Sequence, residues 1–138
     1  MQQRQILLDT NALIALSDPS NLLFQAAERA LKAGAMACTC SVAWHEYVRG
    51  PLNDEDRERV LRVIESRIYS LERKNAEFAA KLFNQTGRRR GSTADCLIAA
   101  VAVAYDAELM TWNLSDFKPF EPHGLRMVEL PGFSGCIS

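Results

Sequence analysis

Residues 93–117 read TADCLIAAVAVAYDAELMTWNLSDF. The first half, residues 93–105, is apolar on almost every side, which predicts a helix buried all round. Residues 108–111 follow as a short strand. A buried helix feeding a strand is the repeating unit of an α/β fold. Two acids stand at the margins of this apolar stretch: Asp95 in the first helical turn, and Asp116 just past the strand.

The rest of the chain extends the same alternation. Residues 5–9, QILLD, predict a buried strand that ends in Asp9. Asp18 or Ser20 is placed to cap a helix over 21–33, with Leu22, Leu23, Ala26, Ala27, Ala30 and Leu31 as its apolar stripe and Gly34 as its stop. Residues 35–39 suit a second strand, after which Ser41 can cap a short helix that carries Trp44, Glu46 and Tyr47 and ends at Gly50-Pro51. Asn53 opens a helix to about residue 66, its positive end complemented by Asp54, Glu55 and Asp56, with Val60, Leu61, Val63 and Ile64 inward. A strand over 68–71, a helix over 75–85, a basic loop GRRRGS at 87–92 and a last strand over 126–130 complete the order. The pattern predicts one α/β domain over 1–130, a mostly parallel sheet of about five strands flanked by helices, followed by a tail at 131–138. Ligands of such sheets bind at the carboxyl ends of the strands, and Asp9 stands at one such end.

Bulk properties narrow the function. The chain has 138 residues, 48% of them hydrophobic and 24% charged, the profile of one soluble domain. Its longest apolar stretch, 96–105, is too short to span a bilayer, and no signal peptide is evident, so a cytoplasmic protein is expected. A net charge of −1 argues against coating nucleic acid by charge alone, but allows a nuclease with an acidic site. Cys38, Cys40, Cys96 and Cys136 show no C-x-x-C spacing, and with only His45 and His123 beside them a zinc site is poorly supported; they are expected to be free thiols. His45 is expected at the surface, since it points about 100° away from Glu46 around a helix.

Neither phosphate-cradling glycine loop is present, nor a G-x-S-x-G elbow. The first strand ends in D-T-N rather than D-x-D, so Asn11 stands where an aspartyl phosphatase would carry its proton donor. What remains is four acids set beside apolar segments: Asp9, Glu46, Asp95 and Asp116. Each alone has a plainer reading: Asp9 as a turn acceptor, Glu46 as a solvent-facing acid, Asp95 as an ordinary first-turn acid and Asp116 as a loop acid. Three of the four fall at strand ends or helix starts that an α/β fold gathers at one edge.

In that order, LLDTNALIAL (7–16), SVAWHEYVRG (41–50) and TADCLIAAVAVAYDAELMTWNLSDF (93–117) resemble a PIN-domain protein, and most closely the ribonuclease toxins of VapBC-type toxin–antitoxin pairs. The resemblance covers about residues 6–130. Its most specific parts are D-x-x-I-A-A from Asp95 and T-x-N-x-x-D-F from Thr111. It implies an acidic cluster of Asp9, Glu46, Asp95 and an acid near Asp116, holding Mg²⁺ or Mn²⁺, and endonucleolytic cleavage of RNA. Hard dications prefer oxygen ligands, and a cation there would relieve the mutual repulsion of the acids. Asp9 and Asp95 are the expected principal ligands, with Glu46 and Asp116 in the outer sphere. Thr10 and Asn11 support the carboxylates, and Asn113 holds the loop before Asp116. Arg88, Arg89 and Arg90 are candidate contacts for RNA phosphates, against the plainer reading of a solvated loop.

The resemblance also implies a homodimer and a cognate antitoxin. Trp44, His45 and Trp112 depart from the residues usual at their places, which obscures the RNA target. Two alternatives remain: a PIN nuclease of RNA maturation or decay without an antitoxin, and a PIN-like binding module without turnover.

Overall fold

The computed structural model describes residues 3–130. Cys136 and the expected tail over 131–138 lie outside the described residues. The sheet has five strands, β1 (Gln5–Leu8), β2 (Met36–Cys40), β3 (Ile68–Tyr69), β4 (Glu108–Met110) and β5 (Arg126–Met127), in the order β3-β2-β1-β4-β5. Every pairing is parallel, with Leu7 opposite Cys38 on one side and Leu109 on the other. Ile6, Leu7 and Leu8 are all at most 1% exposed. Successive strand residues point to opposite faces, so β1 is covered on both.

The helices are α1 (Thr10–Ala15), α2 (Leu22–Lys32), α3 (Ser41–Val48), α4 (Asp54–Ile64), α5 (Arg73–Gln85), α6 (Thr93–Ala104) and α7 (Leu114–Phe117), with a 3-10 turn at Lys118–His123. α2 and α4 pack on β2, α6 packs on β4, α5 lies along α6, and α1 contacts α3. The α6 reading holds: Ile98, Ala99, Ala100, Val101 and Ala102 are buried in succession.

Several local expectations change. α1 begins directly after Asp9, in a stretch to which the sequence assigns no element. Asn21, not Asp18 or Ser20, caps α2 by accepting from the Leu23 amide, while Asp18 accepts from Ser20. Leu22 precedes the buried stripe and lies 46% exposed. α3 follows Cys40 without a side-chain cap, and the Ser41 hydroxyl accepts instead from the Leu71 amide. Asn53 caps α4 as expected, but that helix stops at Ile64 because Glu65 and Ser66 both adopt left-handed backbone angles. β3 and β5 have two residues each, shorter than expected.

The chain order makes β1 central. Connections run from β1 to β2 and β3 on one side, then return to β4 and β5 on the other. The crevice beyond the ends of β1 and β4 is therefore the topological switch point, the place where open α/β sheets accept ligands.

Candidate active site

Asp9 stands at that switch point. It follows β1 with extended backbone angles and caps α1. Its Oδ1 accepts from the Thr10 amide at 2.8 Å, and its Oδ2 accepts from the Thr111 hydroxyl at 2.7 Å. It is 5% exposed. Burial raises its pKa above the ordinary carboxylate value, the bonds from Thr111 and Thr10 counter this, and the nearby charge of Glu46 adds to the rise.

Thr111 opens the motif T-x-N-x-x-D-F, but no role at the site is expected of it from the sequence. It is 1% exposed, and it organises the centre of the site. Its hydroxyl donates to Asp9 and accepts from the Asn11 amide nitrogen at 3.3 Å and from the Asn113 backbone amide at 3.0 Å. One donor and two acceptor positions are the full capacity of a hydroxyl. Asn11 completes the lock, its Oδ1 accepting from the Trp112 amide at 3.1 Å. DTN at the end of β1 and TWN at the end of β4 thus hold each other. The available sequence signal was a hydroxyl residue at the end of a buried strand.

Thr10 turns the other way, its hydroxyl lying 3.2 Å from Glu46 Oε1 and 3.4 Å from the Ala43 carbonyl, either of which it can donate to. Glu46 comes from α3, which follows β2 and packs against α1. Asp95 enters from the first turn of α6. Its pKa is pushed up to about 6, first by burial, then by the charges of Asp9 and Asp116 and lastly of Glu46, against a lowering contribution from Arg89. The four predicted acids therefore share one electrostatic environment.

Asp116 lies within α7, where a loop was expected. The turn before it is made by the main chain: the Asn113 carbonyl accepts from the Asp116 and Phe117 amides. The Asn113 side chain makes no cap bond, and its backbone is not left-handed, at φ −86° and ψ 54°. Its amide bond to Thr111 and this carbonyl are what hold the turn. Phe117 is fully buried and anchors the end of α7.

The three arginines separate. Arg88 and Arg90 are exposed, and Arg88 has a left-handed backbone. Arg89 is turned onto the protein: its Nη2 donates to the Asp116 carbonyl at 2.9 Å, and its guanidinium lies 5.8 Å from the centre of the Phe120 ring. His45 is exposed. Cys38, Cys40 and Cys96 are buried free thiols, and burial pushes Cys38 up to about 12 and Cys40 up to about 11.

Among the described residues, no group of three or more His, Cys, Asp or Glu side chains is placed to hold a metal ion. A closed cage is not what Mg²⁺ requires. It keeps several waters and binds through one or two carboxylates together with substrate oxygens. A set of oxygen donors, with Asp9 raised by burial and by the charge of Glu46 and Asp95 raised by burial and by the charges of Asp9, Asp116 and Glu46, fits a hard dication.

Comparison with known proteins agrees with this fold. The PIN domain family matches residues 6–118. Among solved structures, the chain is similar to VapBC2 from Rickettsia felis bound to a DNA fragment from their promoter, at 21% identity over 90% of this chain and 97% of that chain, with a TM-score of 0.66. It is similar to VapBC-1 from nontypeable Haemophilus influenzae, at 20% identity over 91% and 97% of the two chains, TM-score 0.65. A toxin–antitoxin complex from Klebsiella pneumoniae is 26% identical over 81% of this chain and 89% of that chain, TM-score 0.62. No curated protein matches.

Proposed function

Because the chain belongs to the PIN domain family, we propose that it is an Mg²⁺- or Mn²⁺-dependent endoribonuclease, the toxin of a type II toxin–antitoxin pair. The observation that carries this reading is the convergence of Asp9, Glu46, Asp95 and Asp116 at one edge of the sheet: Thr10 bonds Asp9 and reaches Glu46, and Arg89 ties the Asp116 main chain to the loop that leads into α6, whose first turn holds Asp95. Acids from four separate elements gathered at the switch point of a parallel sheet have no structural need of one another, since their repulsion opposes folding.

Asp9 and Asp95 are assigned as the principal ligands of the cation. Glu46 and Asp116 complete the acidic rim and orient a water against the phosphodiester. When bound, the cation supplies neutralisation of the phosphate charge and a lowered pKa for water. The remaining work belongs to the chain. Thr111 and the Thr10 amide hold the Asp9 carboxylate in one orientation. The Thr10 hydroxyl steadies Glu46. Arg88 and Arg90, exposed on the loop before α6, are assigned to RNA phosphates.

The similar structures named above are toxin–antitoxin complexes, which supports an antitoxin as partner here. The chain's own support is an apolar groove between α2 and α4, lined by Leu16, Phe24, Ala27, Leu31 and Val63 and edged by Glu28, Lys32 and Arg59. A homodimer is part of the same proposal. No helix among the described residues is long and apolar enough to cross a membrane, and we place the protein in the cytoplasm.

The test is cleavage of an end-labelled RNA pool by wild type and Asp95→Asn in Mg²⁺, Mn²⁺ and chelator. Cleavage by wild type with either metal, lost in chelator and in the variant, is expected. Absence of any metal-dependent cleavage by the purified, antitoxin-free protein would turn the reading toward a binding module.

A further inference from the structure

The basic loop before α6 has a use that its exposed arginines do not explain. Arg89 is fixed at both ends. Its carbonyl accepts from the Ser92 hydroxyl at 2.8 Å and from the Ser92 amide at 3.2 Å, and Ser92 is the buried residue that precedes α6. Its side chain crosses to α7, where Nη2 bonds the Asp116 carbonyl, and its guanidinium sits against Phe120 of the 3-10 turn that follows. The Nε atom is buried and has no hydrogen-bond partner. A guanidinium that leaves a buried donor unmatched is held there by its other contacts, since an unmatched donor costs stability.

α7 needs such a tie. It has four residues, too few to be stable alone, and no side-chain cap. We propose that Arg89 is a positioning residue: it fixes α7, and with it Asp116, against the start of α6, where Asp95 stands. The bond uses the main chain of Asp116 and not its carboxylate, so the acid is placed without being neutralised through that contact. The proximity of Arg89 also moderates the charge around Asp95. The consequence for cation binding rests on the function proposed above; the placement of α7 does not.

The experiment uses the full chain with Arg89→Met and Arg89→Lys. In metal-free protein, hydrogen exchange at the Asp116 and Phe117 amides is expected to speed up about tenfold in Arg89→Met, the factor a lost charge-assisted bond is worth. Arg89→Lys, which can still donate to the carbonyl, is expected to recover part of this protection, and α2 amides serve as the unchanged reference. In the same variants the Mn²⁺ midpoint of the thermal shift should rise about tenfold, while KM for RNA at saturating Mn²⁺ stays near wild type. Unchanged exchange in α7 overturns the proposal. So does a raised KM with an unchanged Mn²⁺ midpoint, which is the behaviour of a phosphate contact. Faster α7 exchange in a protein whose wild type shows no Mn²⁺ shift supports the positioning role and counts against the metal reading alone. If Arg89→Met does not fold, Arg89→Gln, uncharged and shorter, takes its place in the exchange comparison, and unchanged protection of the Asp116 and Phe117 amides there overturns the proposal.

Discussion

Asp95→Asn should stabilise the metal-free protein, and the gain should depend on pH. The folded-state pKa is raised from 3.8 to about 6. Folding therefore holds the Asp95 proton more tightly than the unfolded chain does. The penalty is absent well below 3.8, grows as pH rises, and is complete above about 6. At about 1.4 kcal/mol per pH unit the full penalty is roughly 3 kcal/mol. Asp95 is partly open to water, so screening reduces this to about 1–2 kcal/mol. Asn has nearly the shape of the protonated acid and no charge to lose. In a chain of this size, about 1–2 kcal/mol corresponds to a rise in Tm of roughly 3–8 °C. Thermal denaturation in chelator near pH 7.5 should show that rise. Near pH 4.5, where the folded-state carboxyl is almost wholly protonated and only the partial ionisation of the unfolded chain remains to be opposed, the advantage should shrink to about a third. Saturating Mn²⁺ should stabilise wild type more than the variant and narrow or reverse the order. A variant less stable than wild type near pH 7.5 in chelator would refute the reasoning, and so would an advantage of equal size at both pH values.

Thr111→Val should cost about 2–3 kcal/mol by urea denaturation, because it leaves a buried Asp9 oxygen without its donor and two amides without their acceptor; a loss below about 0.5 kcal/mol would remove Thr111 from the centre of the site. Asn53→Ala should cost about 1 kcal/mol through the lost cap of α4 without altering RNA cleavage, a comparison that separates stability from activity. Cys38, Cys40 and Cys96 should resist alkylation near pH 8 in the native protein and react fully in denaturant, as read by peptide mass mapping. Rapid native labelling of Cys40 would contradict its burial under the site.

The elements that carried strong periodicity were legible in the sequence, and the short ones were not. α6 declared itself because its apolar residues run all round, and α4 because Asn53 and three acids mark its start. α1 escaped because six residues directly after a strand carry too little pattern to distinguish a helix from a loop. Ser41 and Asp18 have the chemistry of helix caps, yet each is engaged elsewhere, and residue type alone cannot tell which of several adjacent oxygens faces an open amide. The 3-10 turn over Lys118–His123 contains Pro119 and Pro122, which break an α pattern without saying what replaces it. At the site, the acids were visible as charges at the ends of apolar segments. Thr111 was not, because its role depends on β4 lying beside β1, a neighbour relation set by sheet order.

That neighbour relation has a consequence for synthesis. The bond between Thr111 and Asp9 joins residues 102 positions apart. β1 is made first and can pair early with β2, but its other edge stays vacant until β4 arrives. At ribosomal rates of about 5–20 residues per second, the vacancy lasts on the order of ten seconds. Until then Asp9 lacks the hydroxyl that orients it, and Asp95 and Asp116 have not been brought to its side. A growing chain therefore reaches the ribosome exit with its acidic centre unassembled, and messages truncated before Thr111 yield products that cannot assemble it. On the function proposed above, the strand order delays assembly of the centre until most of the chain has been made.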